Sequence, residues 1–454
     1  MTQLLIIGGS DAGISAALRA RELDASVEVT VVLADAFPNF SICGLPFYVS
    51  GEVPDWRRLA HRTVNEIEHA GIRLLLQHTA IAIDPVQKGV EVVDTGGRKQ
   101  TLPYERLVIA TGAAPMHPTV AGLDLPGVHV LHTMEDSFRV HQQVAEANVQ
   151  TALIVGAGYI GLEMADAFRH RGMQVTLVVR SEVLRTTIDA YLARVVEEEL
   201  RRRDVEVIKG AEVESIERDG ARLRVSGSNG LPKSADLVLM AAGVRPSSEL
   251  AARAGISTGV HGAIRVSREM TTNVPDIYAA GDCVETWHRV IGQNTYLPLG
   301  TTAHKQGRIA GENAVGGHRQ FAGTLGTQVV KVFDLAVART GLFDEEARHA
   351  GFDPVTTESK FWDHKVYYPG AQELTIRVTG DRRNGRLLGA QIVGHWQAEV
   401  AKRMDIFATA LFHEMKVEDL NDLDLSYTPP VSSPWDPVQM SAQDWVQGKE
   451  NAHG

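Results

Sequence analysis

Twice in this chain an apolar run ends in clustered glycines, which open onto a helical stretch and then a second apolar run. The first copy runs from Leu4 to Ile7, turns through Gly8-Gly9-Ser10-Asp11-Ala12-Gly13, continues as a helix to Leu23 and resumes as a strand from Val27 to Leu33. The second has the strand Ala152–Val155, the turn Gly156-Ala157-Gly158-Tyr159-Ile160-Gly161, a helix to about His170 and the strand Val175–Val179. This order is what a dinucleotide needs. Glycines let the backbone approach the pyrophosphate, whose charge then rests on a helix N-terminus. One match is common; two in the right context predict an α/β chain with two Rossmann-like dinucleotide-binding domains. The first copy departs from the pattern at two points. Ser10 stands where the third motif position is normally glycine, and Leu33 replaces the strand-end carboxylate, leaving Asp35 as the candidate for a ribose hydroxyl.

At 454 residues the chain is too long for one core, so two to four domains are expected. A net charge of −11 disfavours a nucleic-acid partner, which would want a basic face. No stretch approaches 18 uninterrupted apolar residues, so no membrane-spanning helix is expected. The start, MTQLLIIGGSDAG, lacks a basic region and reads as a strand rather than a signal peptide. Two cysteines make no disulfide framework, which points to a reducing cytoplasm.

Further segments follow in a telling order: LVIATG (107–112), MAAGVRP (240–246) and DIYAAGD (276–282). With the two fingerprints they resemble the two-dinucleotide-fold flavoprotein disulfide reductases. The resemblance implies FAD in the first unit, a nicotinamide nucleotide in the second, and an α+β C-terminal dimerisation domain. It assigns Gly8, Gly9, Ser10, Gly13, Asp35, Ala80, Thr111, Gly112, Gly281, Asp282, Thr302 and Ala303 to FAD, with Asp282 on the ribityl chain. Gly156, Gly158, Gly161, Glu163, Arg180, Arg185 and Gly243 fall to the nicotinamide nucleotide, with Glu163 near its ring. The expected domains are FAD-binding at 1–115 and 245–320, NAD(P)H-binding at 116–244, and dimerisation at 321–454. In the last, strands are expected at 327–332 and 373–378, and a helix at 399–415 with Val400, Ile406, Phe407, Ala410 and Leu411 as its apolar stripe. The polar tail after Trp445 is expected to be mobile.

The nucleotide's identity rests on charge. A carboxylate at the end of the second strand would accept from the ribose 2′-OH and repel a 2′-phosphate. That position is Val179, followed by Arg180-Ser181-Glu182-Val183-Leu184-Arg185. Two guanidinium forks suit a phosphate dianion, although Glu182 lies between them. The stretch is similar to the NADPH-selecting segment of glutathione reductases, one residue shorter between its arginines. NADPH is favoured, with NADH possible.

The chemistry centres on NFSICGLPFYVSG (39–51). Dithiol members of the family carry a second cysteine about five residues away; here the next is Cys283, placed as a small packing residue. Cys43 is expected at the head of a helix, with its pKa lowered by the aligned amides. The resemblance places it over the flavin. NFSICGLPFYVSGEV, YLPLGTTAHKQGRIAGENAVGG (296–317), VYYPGAQELTIRV (366–378) and LDLSYTPPVSSPWDPV (423–438) resemble the single-cysteine branch. That branch holds coenzyme A disulfide reductases, NADH oxidases, NADH peroxidases and persulfide reductases. Tyr427 occupies the place of the dithiol enzymes' histidine. With Tyr368, it is implied to act on Cys43 of a partner subunit, in a homodimer with shared sites. Asp11 stands where oxidases and peroxidases have a histidine, which weighs against peroxide chemistry. Ile42 replaces an asparagine of the coenzyme A enzymes.

The expected activity is NAD(P)H-driven reduction of a small disulfide or persulfide, such as coenzyme A disulfide. Its rivals are an oxidase or peroxidase cycling through a cysteine sulfenic acid, and a redox-responsive flavoprotein with little turnover. No metal site is expected: His129 and His132, three apart in a strand or loop, point in different directions. The basic run 57–62 suits substrate phosphates or a solvated face.

Overall fold

The structure, a computed structural model, describes residues 2–451 except 117 and 147. Two five-stranded parallel sheets carry the two glycine turns. The first is ordered Ile277–Ala279, Arg106–Ile109, Gln3–Ile7, Glu28–Leu33, Ile72–Leu76. The second is ordered Val205–Lys209, Gln174–Val179, Thr151–Val155, Leu237–Met240, Val128–His129. Their central strands, LLII and ALIV, are apolar at successive positions because both faces are covered, one by helices and the other by a three-stranded antiparallel sheet. The Ile277–Ala279 strand joins the first sheet after the second sheet is complete, so the chain leaves the first unit and returns to it.

The duplication extends to backbone detail. Gly8 and Gly156 both adopt φ of +111°. A Cβ on either would sit 2.0 Å from the Ala110 carbonyl oxygen or 2.2 Å from that of Ala241. Gly13 and Gly161 lie so close to the preceding turn that a Cβ would come within 1.9 and 2.1 Å of a glycine oxygen. Only glycine fits these four positions. Ser10 is tolerated at the third because its φ is −90°, and it takes the N-cap of the Asp11–Leu23 helix.

The C-terminal region is a five-stranded antiparallel sheet ordered Gln328–Val332, Leu335–Gly341, Leu387–His395, Glu373–Asp381, Pro354–Trp362. The Val400–Phe412 helix packs on it through Val400, Met404, Phe407, Ala410 and Leu411. Ile406 is only partly buried, while Arg403, unforeseen in the stripe, is buried against Asp436 at 3.1 Å. The tail after Trp445, expected to be mobile, is instead helical as far as residue 451, and 452–454 lie outside the described residues. Residues Pro437–Asn451 form a helix whose Trp445 is 2% exposed and donates Nε1–H to the Val355 carbonyl at 2.8 Å. Truncating an indole buried this way costs about 3–5 kcal/mol, enough to hold the segment on the sheet. Among the described residues, no helix is long and apolar enough to cross a membrane.

Candidate active site

The segment bearing Cys43 is pinned from both sides. Asn39 donates its backbone N–H to the Gly9 carbonyl at 2.8 Å, tying it to the first glycine turn. Ser41 and His61 donate their backbone N–H groups to the Leu59 and Asn39 carbonyls, at 2.8 and 2.9 Å. Phe37 sits edge-on to Phe40, Trp56 and Phe138, each at 5.6 Å, which locks the loop against the second unit. Cys43 lies in the 3-10 turn Ile42–Gly44, directly before the Leu45–Ser50 helix. Leu45 and Val49 of that helix pack in one core with Leu162, Met164 and Phe168 of Tyr159–His170. This packing holds the Cys43 turn against the helix that carries Glu163.

The expectation of a lowered pKa for Cys43 is not met in the protein itself. Burial raises it first, followed by the charges of Glu163, Asp11 and Asp282. The thiol is open to solvent yet walled by protein on most sides, so accessibility and desolvation coexist. A six-residue helix offers few aligned amides to oppose three carboxylates. Glu163 is itself pushed up to about 7, by burial and then by Asp166. Asp282 is pushed up to about 6, by burial and then by Asp11. Cys283 is fully buried among Leu107, Ile109 and Ala279, with its Sγ 3.4 Å from the Ala280 carbonyl.

The residues around the first turn fit FAD. Asp282 is a half-buried carboxylate beside Asp11, a hydrogen-bond acceptor suited to ligand hydroxyls. A Cβ at Gly112, where φ is +69°, would meet nothing within 4 Å. Thr111 is anchored by its hydroxyl to the Ser247 carbonyl at 2.6 Å. Gly281 (φ +85°) brings Asp282 beside the first turn, since a Cβ there would be 2.8 Å from Ala12 Cβ. Thr302 and Ala303 are buried in the first turn of Gly300–Ala314. Ala80 is half-buried at a bulge of the His78–Asp84 strand. Asp35 accepts from the Phe37 N–H at 2.8 Å, and burial raises its pKa.

At the second turn, Gly158 caps the Tyr159–His170 helix with open space around its Cβ position, and Gly243 has φ of +105°. Arg180 is exposed, whereas Arg185 pairs with Glu345 of the C-terminal region at 3.1 Å. Glu182 is engaged by Lys209 at 2.6 Å. Of the basic run, Arg57 pairs with Asp55 and lies 4.9 Å over Trp56, while Arg58, His61 and Arg62 are exposed beside the Cys43 segment. His129 is bonded to Gln143, and among the described residues no cluster of metal ligands occurs.

Several neighbours escaped the sequence reading. His304 reaches Asp11 at 3.3 Å and Ser15 at 3.0 Å. The sequence carried no signal for it, because Asp11 and Ser15 lie nearly three hundred residues away and only the packing of two helices brings them together. Tyr159 has a buried hydroxyl without a hydrogen bond, and burial raises its pKa. Tyr427 meets Tyr367, whereas Tyr368 packs edge-on to His364 at 5.9 Å. Tyr367, Tyr368, Tyr427 and Trp435 are all exposed on this protomer, between 43% and 74%.

A family model described as pyridine nucleotide-disulphide oxidoreductase matches residues 2–307, and that family's dimerisation domain matches 327–437. The chain belongs to this family. As a pyridine nucleotide-disulphide oxidoreductase it uses FAD and NAD(P)H. It is 36% identical over 450 residues to the NAD(P)H sulfur oxidoreductase (CoA-dependent) of Pyrococcus furiosus, covering 97% of this chain and 98% of that protein. It is 30% identical over 443 residues to the coenzyme A disulfide reductase of Staphylococcus haemolyticus, covering 97% and 98%. The NAD-dependent persulfide reductase from A. fulgidus superposes with a TM-score of 0.95 at 37% identity, over 99% of this chain and 84% of that one.

Proposed function

We propose that this oxidoreductase reduces a small disulfide or persulfide, such as coenzyme A disulfide, through Cys43, and that it prefers NADPH. One observation carries the reading: of two cysteines, Cys43 alone is open to solvent, in a turn tied to the first glycine loop, while Cys283 is buried. The Cys43 thiolate attacks one sulfur of the substrate. A Cys43–substrate disulfide forms, the substrate S–S bond breaks, and the departing thiolate takes up a proton. When bound, FAD supplies the two electrons, received as hydride from the nicotinamide nucleotide, that return this mixed disulfide to thiolate and free thiol. No second cysteine is within reach to resolve it. Tyr427 of the partner subunit, with Tyr368, is positioned by this reading to donate to the departing thiolate; their exposure on one protomer supports a site completed by dimerisation. Glycines 8, 9 and 13, Ser10, Asp35, Ala80, Thr111, Gly112, Gly281, Asp282, Thr302 and Ala303 hold FAD. Glycines 156, 158, 161 and 243 hold the nucleotide, with Glu163 at its ring and Arg180 and Arg185 at the 2′-phosphate. For Arg185 this requires release from Glu345.

The test is steady-state NADPH consumption with disulfides, persulfides, peroxide or oxygen as sole acceptor. Wild type should turn over disulfide or persulfide fastest, and Cys43→Ser should keep its FAD but lose that activity. Undiminished disulfide turnover by Cys43→Ser would end the proposal.

A further inference from the structure

The carboxylates around Cys43 pose a problem, since each opposes formation of the thiolate on which the reaction depends. Glu163, pushed up to about 7, sheds part of its charge by holding a proton near neutrality, whereas Asp282, pushed up to about 6, does so only in mild acid. Asp11 is handled differently. Its Oδ1 is buried and lacks an aligned hydrogen bond, yet it lies at ion-pair distance, 3.3 Å, from His304 Nε2. The other ring nitrogen, Nδ1, is 3.0 Å from Ser15 Oγ. Each nitrogen therefore faces an oxygen, the arrangement that satisfies an imidazolium, which donates from both.

This juxtaposition is built into the packing of two helices. A Cβ on Gly307 would fall 2.2 Å from the Ala12 carbonyl oxygen, and one on Gly311 would fall 2.1 Å from that of Ala16. With no side chains at 307 and 311, the Gly300–Ala314 helix lies directly on Asp11–Leu23. His304, one turn before Gly307, is thereby delivered to the face bearing Asp11 and Ser15. Other charges near His304 are directed elsewhere. On its own helix Lys305 is exposed, and Arg308 pairs with Glu22 at 3.3 Å. From the loop after Leu59, the exposed His61 ring approaches to 6.3 Å. Among the described residues, His304 is the one basic side chain within ion-pair distance of Asp11.

We propose that His304 is a positioning residue for the Cys43 chemistry: paired with the half-buried Asp11 carboxylate, it offsets that group's effect on the thiol and so favours the reactive thiolate. This rests on Cys43 being the working thiol. It assigns a role to a carboxylate in the first glycine loop, and it makes the Asp11–His304 pair rather than either residue the functional unit.

The test is a mutant cycle read by alkylation, which needs no turnover. Reduced, FAD-loaded protein is treated with iodoacetamide between about pH 6 and 9, and modification of the Cys43 peptide is followed by mass spectrometry. His304→Gln should move the profile to higher pH and slow alkylation near pH 7 by about three- to tenfold, in proportion to the lost thiolate. Asp11→Asn should move it to lower pH. Adding His304→Gln to Asp11→Asn should change nothing further, and His304→Arg should restore the wild-type profile. An unmoved profile in His304→Gln, or an equal effect with and without Asp11, would overturn the proposal. Should His304→Gln lose FAD, Asp11→Asn alone decides, because a profile that does not fall refutes the role of the pair. Failure of the reductase reading would show separately, as disulfide turnover persisting in Cys43→Ser.

Discussion

Replacing Glu163 by glutamine isolates the cost of keeping a carboxylate beside the thiol. Its pKa rises from 4.5 to about 7, chiefly through burial. At about 1.36 kcal/mol per tenfold change, that difference corresponds to about 3 kcal/mol. The sign follows from proton binding. Between pH 4.5 and about 7 the folded state holds a proton that the unfolded chain has released, so stability falls as pH rises through this window. Glutamine cannot ionise and removes the effect. Unfolding entropy of about 2.1 cal/mol/K per residue gives a chain of 454 residues about 1 kcal/mol/K. Relative to wild type, Glu163→Gln should therefore gain about 3 °C in melting temperature between about pH 5 and 8. The assay is thermal unfolding of the purified protein without nicotinamide nucleotide, at matched ionic strength. Nicotinamide fluorescence of added NADPH should still report binding, which shows that the second unit remains folded. A difference between variant and wild type that is the same at both pH values would refute the reasoning, because a packing change alone would act at every pH.

Two further outcomes follow from the nucleotide and dimer readings. Arg180→Ala with Arg185→Ala should raise KM for NADPH by about tenfold to a few hundredfold, as for loss of charge-assisted contacts worth about 1.5–3 kcal/mol, and leave NADH kinetics nearly unchanged; equal wild-type efficiency with both nucleotides would contradict the preference. Tyr427→Phe should slow turnover by about a hundredfold or more, the scale of a lost acid–base partner. Hybrids of Tyr427→Phe and Cys43→Ser chains should regain activity through one intact site per dimer, and verified exchange without recovery would reduce Tyr427 to packing.

Much of the fold was legible because the constraints were local. Gly8, Gly13, Gly156 and Gly161 sit where a Cβ would strike backbone, so their spacing carried both nucleotide units unaided. Cys43 stood out by isolation, and its place next to the glycine turn follows the resemblance. What failed depended on contacts distant in sequence. The tail after Trp445 reads as mobile because the surface that receives the Trp445 indole at its head, near Val355, is ninety residues away. Arg403 is absent from the expected apolar stripe because its buried partner, Asp436, lies 33 residues further on. The lowered pKa expected of Cys43 followed from a helix start alone. It was reversed by burial and by Glu163, Asp11 and Asp282, from three separate parts of the chain. His304 lay unread for the same reason, since only the contact of two glycine-bearing helices brings it to Asp11.

The central claim, that Cys43 carries the chemistry, is tested most directly by trapping its adduct. Reduced enzyme mixed with coenzyme A disulfide in the absence of NADPH, then acid-quenched and digested, should yield the Cys43 peptide heavier by one coenzyme A half. One thiol should be released per adduct formed, and Cys283 should be unmodified. Addition of NADPH should discharge the adduct as a second thiol. Turnover of the disulfide with no adduct on Cys43, or an adduct that NADPH does not discharge, would contradict the account.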